Sequence, residues 1–156
     1  MVYMGGTVVI SQKSLYALRA LFELAKRTHQ GPVKIGVIAD AQAIPPRFLE
    51  MILNRLRHSG LVGSRRGSNG GYYLAKSPKD ISVGDVLRIM QGPIDPVPWV
   101  SGGSKSMSTL NSDCVFLPLW KNVRETVNRI YDSATFQDLV DTEKEGFEKL
   151  ALHYMI

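Results

Sequence analysis

The feature that most constrains how this chain can fold is a change of hydrophobic period at Gly60. Upstream of it, apolar residues recur at helical spacing. Downstream, Val62, Ser64, Tyr72 and Leu74 flank the run Arg65-Arg66-Gly67-Ser68-Asn69-Gly70-Gly71. Side chains share a face every 3.6 residues in a helix and every two in a strand, so the switch closes a helix and opens a β-hairpin. A tip rich in Gly and Asn suits the positive φ angles of a tight connection. A single hairpin after a series of helices predicts a mainly α fold with a small β appendage.

The upstream helices can be delimited by their caps and breakers. Ser11 is a suitable N-cap for a helix over 12–28, whose Leu15, Leu18, Leu21, Phe22 and Ala25 fall at helical steps and which stops at Gly31-Pro32. A short helix over 34–42 turns Ile35, Ile38 and Ala39 inward. Pro45-Pro46 then opens a third, because a proline at a helix start forfeits an N–H that has no partner there anyway. It runs to Ser59 and ends at Gly60. Helix, helix, helix, hairpin is a winged helix-turn-helix arrangement.

After the hairpin, Ser82 caps a helix over 83–91 with Val83, Val86, Leu87 and Met90 on one face. Residues 92–113 are rich in Gly, Pro and Ser and read as a loop. Periodicity returns with Leu119, Trp120, Val123, Val127, Ile130 and Ala134, a stripe at i, i+4 steps. Thr135-Phe136-Gln137-Asp138 is a capping-box start for a last helix carrying Phe136, Leu139, Val140, Phe147 and Leu150. The expected organisation is a winged helix-turn-helix domain over 1–91, a flexible loop over 92–113, and a helical dimerisation region over 114–156.

Charge also divides the chain. Residues 1–75 hold ten Lys and Arg against Glu23, Asp40 and Glu50, giving +7, and the remaining nine cations and eleven acids give −2, for a net +5. A basic block beside a mildly acidic one suits a polyanion-binding module joined to a part that binds something else, although uneven surface charge alone would look the same. The third helix sharpens the choice. Stepping about 100° per residue, Leu49, Ile52, Leu53 and Leu56 gather on one side and Arg47, Glu50, Met51, Asn54 and His58 on the other. Arg can donate to guanine, Asn can pair with adenine and Glu can accept from the cytosine amino group. The alternative is a merely solvated face. Arg65 and Arg66 at a protruding glycine-bent tip could enter a minor groove, where negative potential is concentrated. The candidate DNA contacts are therefore Pro45, Arg47, Glu50, Asn54, Arg65, Arg66, Ser68 and Asn69, and the expected ligand is double-stranded DNA.

Other classes are disfavoured. Gly67-x-x-Gly70-Gly71 lacks the Lys-Ser/Thr of a phosphate-binding loop and joins two strands rather than opening a helix. No Ser/His/Asp order, HExxH or paired carboxylates point to an enzyme, and His29, His58 and His153 have no metal-ligand spacing. No apolar run approaches the ~20 residues of a membrane span. Met1–Ile10 lack the basic and apolar regions of a signal peptide, and a single cysteine, Cys114, suits a reducing compartment, so a cytoplasmic protein is expected. Cys114 reads first as a small packed residue, with redox sensing as the alternative. The stripe from Leu119 to Ala134 reads as a seam for a second copy, or for fold-back onto the chain's own N-terminal part.

The run Ile38-Ala39, Ile44-Pro45, Phe48-Leu49-Glu50, Leu56, Gly60-Leu61-Val62, Arg66-Gly67, Gly70-Gly71-Tyr72, Leu74-Ala75, Pro78 and Ile81-Ser82-Val83 strongly resembles the Rrf-two family of bacterial regulators, which includes the IscR, NsrR and CymR types. The resemblance continues through Leu119-Trp120 and Thr135–Leu139. It implies a homodimer joined by the long helix after the loop, bound to a dyad-symmetric operator, usually as a repressor. By position it implies Arg47 and Glu50 in the major groove and Arg66 in the minor groove. Many members hold an iron–sulfur cluster on three loop cysteines. Cys114 resembles the last of these, but residues 92–113 contain no Cys or His and residues 1–20 no Asp, Glu, His or Cys. One thiolate cannot hold a cluster, so the cluster-free branch, with no cofactor, is expected. The rival reading is a protein-interaction module that sequesters a partner enzyme and binds little DNA. The loop around Trp99 is read as a linker, with an effector or partner site as the alternative.

Overall fold

The computed structural model describes residues 9–97, 100 and 111–154. Six α-helices and one hairpin follow in chain order: α1 (Gln12–Lys26), α2 (Ile35–Gln42), α3 (Pro46–His58), β1 (Val62–Arg65), β2 (Gly71–Leu74), α4 (Val83–Gln91), α5 (Asn111–Ser133) and α6 (Phe136–Tyr154). Helix α1 is the hub, packing against α2, α3, α4, α6 and the hairpin. Its Ala17, Ala20, Leu21 and Leu24 are buried with Ile38, Leu49, Leu53, Leu56, Val86 and Phe136 in one core.

The caps explain where the helices begin. Ser11 accepts the Ser14 N–H at 3.1 Å. The other end of that turn is held tertiarily, since the Ser14 hydroxyl, itself buried, donates to Gln91 Oε1 of α4 at 2.8 Å. Ser82 and Asp85 form a full capping box on α4. Thr135 and Asp138 do the same on α6, with Thr135 N–H to Asp138 Oδ2 and Asp138 N–H to Thr135 Oγ1 both at 3.1 Å. The Thr135 hydroxyl also donates to Asp138 Oδ2 at 2.7 Å, and this bond together with the Thr135 N–H holds the exposed Asp138 carboxyl below its ordinary range.

The turn between α2 and α3 is tight. Ala43 adopts a left-handed conformation, φ 51°, so that the Ile44 N–H reaches back to the Ala39 carbonyl at 3.0 Å. Pro45 then occupies the N-cap of α3 and Pro46 its first position. At the far end Gly60, φ 83°, turns the chain into β1. The hairpin pairs Val62 with Leu74 through Arg65 with Gly71. It gains a third partner from the body: Val33 N–H to Tyr72 O and Tyr72 N–H to Val33 O, both 2.8 Å. A side chain at Gly71 would strike the Val33 backbone, which is why a glycine is needed where the wing docks.

The C-terminal part differs from the sequence reading in three respects. Helix α5 begins at Asn111, within the expected loop, and carries Pro118 in its interior. Residues 92–97 do lack helix and strand, while Trp99 lies outside the described residues. Cys114, expected to pack, is exposed, together with Val115, Phe116 and Leu119. The polar groups tying α5 to the body, Arg124, Asn128 and Asp132, all lie further along it. Phe147, expected on a packed face, is 65% exposed. Helix α1 ends at Lys26, whose ammonium meets Glu143 of α6 at 3.2 Å, and Phe147 lies one turn beyond that meeting point. The Leu150 side chain lies outside the described residues.

Candidate nucleic-acid interface

Helix α3 buries Leu49, Ile52, Leu53 and Leu56 and turns the opposite side outward. Pro45, Arg47, Glu50, Met51, Arg55 and His58 are exposed, and Asn54 is half-buried. The Arg47 guanidinium lies over the Phe48 ring, 5.7 Å from its centre, which restrains it on the first turn of the helix. His58 Nδ1 lies 2.7 Å from the Asn54 carbonyl and keeps the last turn regular.

The wing carries the other predicted residues. Arg65 ends β1, and Arg66, Ser68 and Asn69 are exposed in the connection. Its turn is closed by the Gly70 N–H donating to Gly67 O at 3.0 Å. A side chain on Gly70 would run into the backbone of Arg65 and Arg66, so this glycine permits the fold-over that projects Arg66. Two further cations, which sequence reasoning missed, brace the wing. Lys34 Nζ donates to the Ser68 carbonyl at 2.8 Å, and Arg57 Nη1 approaches Ser64 Oγ at 3.5 Å. Lys34 joins the tip to the start of α2 across a gap of 34 residues, which no local pattern announces.

Electrostatics separates the arginines into two groups. Among the described residues, ion pairs engage Lys26, Arg27, Arg88 and Arg124. Arg47, Arg55, Arg65 and Arg66 meet no carboxylate there, and neither do Arg19, Arg57 and Arg129. Within α1 and its cap, Arg27 and Lys26 meet the buried Glu23, and Gln42 of α2 donates to the same carboxylate at 2.8 Å, which joins the two helices. Burial pushes the Glu23 carboxyl up, but the hydrogen bonds from Gln42 and Arg27 and the neighbouring positive charges outweigh it and leave it below the usual range. The cations of α3 and the wing tip, by contrast, face solvent without neutralisation, which leaves a field that attracts polyanions.

The predicted seam on α5 is also outward. Leu119 is 50% and Ile130 60% exposed, and Trp120, Val123 and Val127 are half-buried. The Phe116 and Trp120 rings stack at 6.2 Å. At Leu119 and Ile130 the stripe is not covered by the N-terminal part. Helix α5 meets the body through polar groups instead: Arg88 donates to Asn128 at 3.0 Å and to Asp132, and Arg124 meets the buried Asp95 at 2.9 Å.

Residues 10–142 match the family model described as Rrf2, iron-dependent transcriptional regulator. The chain belongs to the Rrf2 family. It is 35% identical over 141 residues to the HTH-type transcriptional regulator CymR of Bacillus subtilis, covering 88% of this chain and 96% of CymR. The structure of that protein, the global cysteine regulator of B. subtilis, superposes with a TM-score of 0.73 at 34% identity, covering 86% of this chain and 97% of the other. The T. potens IscR structure superposes with a TM-score of 0.70 at 33% identity, covering 88% and 90%. This Rrf2 chain is thus a winged-helix transcriptional regulator. Its donor set does not fit the iron in the family description: Cys114 is its single cysteine, and among the described residues no three His, Cys, Asp or Glu stand together. No helix among the described residues is long and apolar enough to cross a membrane.

Proposed function

We propose that this chain acts as a homodimer, paired through α5, that represses transcription in the cytoplasm by binding a dyad-symmetric duplex without a metal cofactor. In this reading Pro45, Arg47, Glu50 and Asn54 of α3 meet the major groove. Arg65, Arg66, Ser68 and Asn69 of the wing meet the minor groove and its phosphates. Residues 1–91 bind DNA and 114–156 dimerise. The observation that carries the reading is that Arg47, Arg55, Arg65 and Arg66, none of them paired with a carboxylate among the described residues, lie exposed on α3 and the wing, the two elements a winged helix offers to a duplex. The exposed Leu119 and Ile130 support the dimer, since a two-fold pair doubles the contacts on half-sites one helical turn apart.

The test is a mobility shift of a selected duplex across a salt series. A groove binder displaces condensed counterions and loses affinity steeply as salt rises. A module that only sequesters a protein would shift no duplex in a sequence-dependent way, and that result would sink the reading.

A further inference from the structure

The outer face of α3 is polar except at its centre. Stepping about 100° per residue, Met51 falls almost opposite the buried Leu49, with Arg47 and Arg55 on either side. It is 52% exposed, whereas Phe48, nearer the edge of the same face, is 37% exposed. One flank of Met51 borders a small groove formed with Lys13, Ile52 and Met90. Folding leaves about half of this apolar side chain in water, and that surface is available to a ligand.

The neighbours of Met51 divide the base edges among them. Arg47 can donate to guanine, Asn54 can pair with adenine, and Glu50 can accept from cytosine. None of these groups can recognise the one apolar mark in the major groove, the C5 methyl of thymine. A methionine can, because its unbranched, polarisable thioether adapts to a small apolar knob. We propose that Met51 is a specificity-determining residue that packs on the C5 methyl of a thymine in each half-site. This inference rests on the DNA-binding reading above.

The experiment begins with duplexes selected from a random pool by the wild-type protein. Each thymidine of the recovered half-site is replaced in turn by deoxyuridine, which removes the methyl and keeps every hydrogen-bonding group. Affinity is read by fluorescence anisotropy at fixed salt. One thymine position per half-site should lose about four-fold in affinity, the worth of one buried methyl-sized group. Met51→Leu should keep that loss. Met51→Gln, expected to melt at the wild-type temperature because the position is exposed, should erase it. Uniform indifference to deoxyuridine, a selected half-site without thymine, or an equal loss in Met51→Gln would overturn the role of Met51 while leaving DNA binding intact. If the selection enriches no sequence, the DNA-binding reading itself fails and this role falls with it.

Discussion

Ala43 holds a left-handed backbone conformation with a side chain that disfavours it, while seventeen residues later Gly60 holds a similar one without that penalty. The Cβ clash of an L-residue in this region costs roughly 1–2 kcal/mol. Ala43→Gly should therefore stabilise the protein by about 0.5–1 kcal/mol, after allowing for the greater freedom glycine gives the unfolded chain. Gly60→Ala should destabilise it by about 1 kcal/mol, although a side chain there would meet nothing. Urea midpoints of the two variants should move in opposite directions. Glu23 offers a second residue-scale test. Its carboxyl is depressed in the folded state, so its contribution is complete above the unfolded value of about 4.3 and is lost as pH falls through the lower folded value. Glu23→Gln should be less stable than wild type by about 2 kcal/mol at pH 7, and the gap should shrink below about pH 4. A gap that does not change with pH would show that shape, not charge, matters there.

Among the elements, α5 has the most conflicting contacts. Its polar side is clamped to the body by Arg88, Asn128 and the Asp95–Arg124 pair, while on its apolar side Leu119 and Ile130 face solvent and Trp120, Val123 and Val127 are half-buried. Asn128 both accepts from Arg88 and donates to the Ile94 carbonyl at 3.0 Å, so a single side chain joins α4, the start of the loop and α5. A helix held this way keeps its place without fully burying its stripe, which leaves Leu119 and Ile130 available to a second copy. In the proposed dimer, substituting Asp at Leu119 and Ile130 together should yield a monomer by sedimentation equilibrium while the helical circular dichroism persists. An unchanged dimer mass would place the seam elsewhere.

For the whole molecule, DNA affinity should depend on the wing and DNA preference on α3. Arg66→Ala should weaken binding to a selected duplex by about ten-fold or more, flatten the salt dependence by about one counterion, and leave the dimer mass untouched. Glu50→Ala should instead change which base is preferred at one position of each half-site, by roughly 1–3 kcal/mol of discrimination. Selection from a random pool distinguishes the two effects, because an equal loss on every duplex would mark Glu50 as a bystander.

Local chemistry determined much of this protein by itself. Ser11, Ser82 and Thr135 set helix starts, because each cap is satisfied within three residues. Leu49, Ile52, Leu53 and Leu56 chose the inner face of α3, because period and hydrophobicity suffice to orient a helix against a core. The charge asymmetry and the bent wing tip were legible for the same reason. What lay beyond sequence depended on distant partners. Lys34 bracing Ser68, Gln42 completing Glu23 and Val33 adding an edge to the wing join residues far apart in the chain. The exposure of Phe147 likewise followed from where α1 stops, since a helical stripe signals that it can pack but not whether anything in the chain reaches it.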